Sequence, residues 1–72
     1  MVLVYAYGGR MRVPIDSRVV ILKDLYDSDN KVQLAWQGDQ GVIIMHHDGA
    51  AVVKSDRNNL EFVVDTDEYK VI

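Results

Sequence analysis

Two alternating runs, each folded back at a two-residue turn signal, constrain this chain more than any other feature. Gly8-Gly9 separates residues 1–7 from 10–15, and Asp48-Gly49 separates residues 42–47 from 50–54. Both dipeptides accept the positive φ values that a tight hairpin turn requires. A two-residue turn at Gly8-Gly9 sets Tyr7 opposite Arg10, Ala6 opposite Met11, Tyr5 opposite Arg12, Val4 opposite Val13 and Val2 opposite Ile15. Side chains alternate faces along a strand. Val2, Val4, Ala6, Met11, Val13 and Ile15 therefore share an apolar face, while Tyr5 and Tyr7 stand beside Arg12 and Arg10 on the other.

The turn at Asp48-Gly49 pairs Ile44 with Val53 and His46 with Ala51 on one face. On the other it pairs Met45 with Val52, Ile43 with Lys54 and His47 with Ala50. Both faces are mostly apolar, so this hairpin is expected to be covered on both sides, by the first hairpin or by a second copy. Further strands are expected over residues 18–25, 31–36 and 60–64, with a short edge strand over 69–72. In the second of these, Val32, Leu34 and Trp36 share the face expected to point inward. Asp27-Ser-Asp-Asn30 and Asp56-Arg-Asn-Asn59 read as turns, the latter as a single tight or helical one. No segment keeps helical periodicity for the ~11 residues that identify a helix. The expected fold class is all-β.

From Arg18 onward the order of elements resembles a small SH3-like barrel: five short strands, a tight hairpin at Asp48-Gly49 between the third and fourth, and a single turn at 56–59 leading into residues 60–64. The implied organisation is one domain, with an N-terminal hairpin over 1–16, a barrel over 18–64 and a tail or edge strand over 65–72. The loop at 26–30 is shorter than the first loop of signalling SH3 domains, and the paired aromatics of their proline-peptide groove are missing. The resemblance thus implies a protein- or nucleic-acid-binding module without implying proline-peptide recognition. Ala35-Trp-Gln-Gly38 is similar to a tetrapeptide of the small plasmid-borne dihydrofolate reductases. Their Val-Gln-Ile-Tyr strand motif has no counterpart here, so that activity is not implied.

At 72 residues the chain is near the lower limit for a core that holds a fold unaided. It has no cysteine, which removes disulfides and thiolate zinc sites. Its 49% hydrophobic content argues against disorder and leaves apolar surface for a subunit interface. No apolar run reaches the ~20 residues of a membrane span, and the apolar start lacks the basic segment of a signal peptide. These features lead to the expectation of a cytoplasmic protein without membrane attachment. The net charge of −3 disfavours general nucleic-acid binding. Its distribution is uneven. Residues 1–23 hold Arg10, Arg12, Arg18 and Lys23 against Asp16 alone, and all the other acids follow.

Candidate chemistry is sparse. His46 and His47 are strand neighbours whose rings point to opposite faces, so they are poorly placed to chelate one ion. Asp27–Asn30 lacks the glycine and distant glutamate of an EF-hand loop and is explained by Asx hydrogen bonding. Residues 65–68 read as a solvated strand end. No nucleophile motif or phosphate-binding loop is present, so neither catalysis, nor a metal, nor a cofactor is expected. The candidate binding surface is the ladder Tyr5, Tyr7, Arg10 and Arg12, because Tyr and Arg are enriched at protein interfaces and also stack on single-stranded nucleic acid. The expected function is a small non-enzymatic protein-interaction module that self-associates, its partner being protein or a second copy. The alternative is a nucleic-acid-binding or regulatory barrel that uses the ladder, with Trp36 as a further stacking ring or else as core.

Overall fold

In a computed structural model the chain is all-β. The structure describes residues 13–72 throughout and, among the first twelve, the strands β1 (Ala6–Tyr7) and β2 (Arg10–Met11). These two pair antiparallel with Ala6 opposite Met11 and Tyr7 opposite Arg10. The apolar face expected for residues 10–15 does not run its full length. Ser17 N–H donates to Pro14 O at 3.2 Å, and Asp16 takes φ 72°, so Ile15 lies in a turn and is 47% exposed. Pro14 has no N–H to continue a ladder, and its carbonyl opens the turn.

Seven further strands follow: β3 (Arg18–Ile21), β4 (Leu25–Tyr26), β5 (Gln33–Ala35), β6 (Gln40–His47), β7 (Ala50–Ser55), β8 (Glu61–Val64) and β9 (Tyr69–Val71). Five of them form one antiparallel sheet in the order β8-β7-β6-β3-β9, and β4 and β5 form a separate ribbon. Among the described residues the sheet does not close into a barrel; β8 and β9 are its edges. Several expected boundaries change accordingly. The strand expected over 18–25 splits, because the chain leaves the sheet after Ile21 and re-forms a strand at Leu25. Residues 31–36 pair in the ribbon and not in the main sheet, whereas residues 69–71 form a full fifth strand against β3. Asp48-Gly49 therefore joins the second and third strands of the sheet. The turn at 56–59 leads into its fourth.

The core lies on one face of the sheet and is built from Val19 and Ile21 of β3, Ile43 of β6, Ala51 and Val53 of β7, and Phe62 and Val64 of β8. Leu25 and Ala35 bring the ribbon onto it, with Val13, Leu34 and Tyr69 packed at the margin. Each buried Val, Ile, Leu or Phe side chain contributes ~1.5–3 kcal/mol, which must offset the ordering of a short chain. Of the expected inward face of 31–36, only Leu34 packs against the core. Ala35 is fully buried, while Val32 is 54% and Trp36 39% exposed. A ribbon lying this close to the core admits a methyl group where an indole would not fit.

The second hairpin departs from its expected register in an informative way. His47 faces Ala50, His46 faces Ala51 and Met45 faces Val52, as a two-residue turn dictates, with Asp48 at φ 47° and Gly49 at φ 85°. Beyond Met45 a β-bulge at Ile44 shifts the pairing, so Val53 faces Ile43 instead of Ile44, and Lys54 faces Val42 instead of Ile43. The extra residue keeps Ile43 and Val53 together in the core, both fully buried. Further along, Gly41 passes close to β7. A Cβ there would sit 2.6 Å from Lys54 O and 2.7 Å from Val53 Cγ1. Only glycine permits that approach.

Candidate interaction surface

The side of the sheet away from the core carries an exposed apolar row. Met45 on β6, Val52 on β7 and Val63 on β8 are directly opposed across the three strands. Met45 and Val63 are 50% and 54% exposed, and Val52 between them is half-buried. The next row reads Arg18, Val42, Lys54 and Glu61 across β3, β6, β7 and β8. Lys54 therefore faces Glu61 in backbone register, which places opposite charges on neighbouring strands. Arg18 is committed to Asp56, whose Oδ2 accepts from both terminal guanidinium nitrogens at 3.0 and 2.8 Å. The surface is apolar in the row nearer the Asp48-Gly49 turn and charged in the row beyond it. The expectation that both faces of the second hairpin are apolar located this row. The expected cover is not found among the described residues.

A second cluster gathers where β5 leads into β6. Asp39 Oδ2 accepts the Trp36 backbone N–H at 3.1 Å, and the Arg57 side chain reaches back from the turn at 56–59. Arg57 Nε lies 3.1 Å from both Asp39 carboxylate oxygens, and Nη2 lies 2.7 Å from Oδ1. The guanidinium carbon stands 4.9 Å from the Trp36 ring centroid, within cation–π range. Asp39 is well enclosed, its side chain 7% exposed. The Arg57 hydrogen bonds hold its carboxyl below the usual carboxylate value, against the opposing effect of burial. Trp36 is thus an exposed indole held against an internally neutralised ion pair, not a core residue. Sequence spacing hides this arrangement, because the three residues meet only when the 56–59 turn folds over β6.

That turn is built locally. Buried Ser55 accepts the Arg57 N–H on its Oγ and the Asn59 N–H on its backbone carbonyl. Asn59 takes φ 60°, which asparagine tolerates better than most residues. Asn58 Oδ1 then receives the Leu60 N–H as β8 begins.

Of the expected ladder, Tyr7 and Arg10 are cross-strand neighbours in backbone register. Their side chains, and Tyr5 and Arg12 altogether, lie outside the described residues. The histidines separate as expected from their strand positions. His46 directs Nε2 at Val13 O, tying the segment after β2 to β6, while His47 is largely exposed, 3.8 Å from Asp48. Among the described residues no group of three His, Cys, Asp or Glu side chains is placed to hold a metal ion. The acidic turns are occupied by their own backbones: Asp27 accepts from Lys31 N–H and Glu68 from Asp65 N–H. No helix among the described residues is long and apolar enough to cross a membrane. No family model matches the chain, and neither curated proteins nor solved structures show a significant similarity to it.

Proposed function

We propose that this chain is a small non-enzymatic module that works through protein–protein contact, self-association included. The exposed row Met45–Val52–Val63 supports this reading. It places apolar side chains on the open side of a sheet, where water gains by their removal. The row is bordered by Lys54, Glu61 and the Arg18–Asp56 pair, a polar rim of the kind that surrounds a contact patch. An SH3-like arrangement remains our architectural proposal. It draws support from the order β8-β7-β6-β3-β9 and from the ribbon carried between β3 and β6. Such folds mostly serve as binding modules, and a cytoplasmic setting suits a chain without cysteine.

The test is sedimentation velocity on the full chain from micromolar to millimolar concentration, beside Met45→Lys. Mean mass is expected to rise with concentration in the wild type and to rise less steeply in the variant. A wild type that remains monomeric throughout, and that retains no protein partner from lysate, overturns the proposal.

One observation favours a second reading, nucleic-acid binding: the Trp36 indole is open to a stacking base. Against it, Arg57 and Arg18 are already neutralised by carboxylates, and phosphate contacts supply most of such affinity. Salt-sensitive binding of a single-stranded oligonucleotide that is lost in Trp36→Ala would establish this reading. Its absence removes it.

A further inference from the structure

The end of the sheet at β8 has a chemistry of its own. Ser55 N–H donates to Leu60 O, so Leu60 directs its backbone polar groups at β7. Antiparallel ladders alternate, and Phe62 and Val64 must do the same opposite Val53 and Ala51. Glu61 and Val63 consequently aim their N–H and C=O groups away from the sheet. Among the described residues nothing receives them. Natural edge strands are usually blunted by lysine, proline or a bulge. The opposite edge, β9, carries Lys70 at its centre, whereas β8 has no lysine, proline or bulge, and its one charged side chain is Glu61.

We propose, building on the self-association reading, that β8 is a dimerisation edge whose occupant is β8 of a second copy. The two strands run antiparallel about a two-fold axis at Phe62. In that register Glu61 and the partner's Val63 exchange two N–H···O bonds, and the symmetric pair exchanges two more. On the core side Phe62 meets its own copy. Leu60, 42% exposed in the single chain, meets the partner's Val64. On the outer side each Val63 lies against the aliphatic stem of the partner's Glu61. Asn59 comes opposite the partner's Asp65, an amide against a carboxylate.

Charge selects this register over its neighbours. Moving the axis to Val63 sets Glu61 against the partner's Asp65 twice, and moving it to Glu61 sets two glutamates face to face. Like charges directly opposed in a sheet are destabilising. Registers between these are forbidden because opposed residues must share a face.

The test uses the full chain in two ways. Val63→Pro deletes an N–H that points off the sheet, so the internal β7–β8 ladder is kept. Sedimentation should show dimerisation weakened roughly tenfold or more, two of four intermolecular bonds being lost. To keep the test independent of how that variant folds, the register is read separately by oxidising a chain that otherwise has no cysteine. A mixture of Glu61→Cys and Val63→Cys is expected to give the mixed disulfide dimer, since directly opposed Cα atoms lie about 5.5 Å apart. Val63→Cys alone should cross-link poorly. Efficient cross-linking of Val63→Cys with itself overturns the register. Self-association that survives Val63→Pro but not Met45→Lys overturns the edge while leaving the sheet-face contact standing. A strictly monomeric wild type removes both.

Discussion

At the scale of single residues, Asp39 and Gly41 do the most with the least. Asp39 joins Trp36, Arg57 and the start of β6, and its carboxyl is held below the usual value chiefly by the Arg57 hydrogen bonds. A group whose folded value lies below its unfolded one stabilises the fold above the unfolded value, near pH 4, and loses that contribution as pH falls through the folded value. Urea unfolding at stepped pH should therefore show a midpoint that drops below about pH 4. In Asp39→Asn the midpoint should be lower at pH 7 and the acid slope shallower. Tyr69 acts at the other end of the scale. Burial raises its phenol, so the unfolded chain ionises first and stability declines above about pH 10. Gly41→Ala forces a methyl into Lys54 O, a backbone atom with no freedom to retreat. A loss of about 1–3 kcal/mol is expected by chemical denaturation, the usual cost of overpacking. None of these roles is legible locally. Residues 38–41 read as a simple break between strands because the contacts that give Asp39 and Gly41 their purpose come from 54–57.

At the scale of elements, the second hairpin shows how far local rules reach. Asp48-Gly49 specifies a turn with both central residues at positive φ, and the three pairs nearest it follow directly. Gly49→Ala should cost about 1 kcal/mol, read as a lowered urea midpoint, because a Cβ is disfavoured at φ 85° even though open space surrounds it. Beyond Met45 local rules fail. The register there is set by the core, which gains more from joining Ile43 and Val53 than it loses by leaving Ile44 outside the ladder. The ribbon β4–β5 teaches the same lesson. Alternation in residues 31–36 is genuine, but a period of two cannot say which face turns inward. The smaller face won, with Ala35 inside and Trp36 out. Trp36→Phe should accordingly change stability by less than about 1 kcal/mol, whereas Phe62→Ala should cost about 3–5 kcal/mol as a buried aromatic. Native Trp36 fluorescence should also be open to acrylamide quenching, with only a small emission shift on unfolding.

At the scale of the whole molecule, a five-stranded sheet buries one face and leaves the other with a row of apolar side chains that ends at an unprotected edge. A chain of this size gains little from its core alone, so a second copy along that edge would raise apparent stability with concentration. A melting temperature that climbs between micromolar and millimolar protein, and that ceases to do so in Val63→Pro, is the expected outcome by scanning calorimetry. Sequence by itself determined the all-β class, the Asp48-Gly49 turn, the pairs beside it and between β1 and β2, and the chemistry of the acidic turns. Each of these rests on backbone preferences or contacts a few residues apart. Only the tertiary structure decided that residues 69–71 complete the sheet, that Ile44 bulges, that Trp36 faces water beneath Arg57, and that β8 is left as an edge. Those outcomes depend on which of several apolar faces pack together, a competition between distant segments that no local pattern encodes.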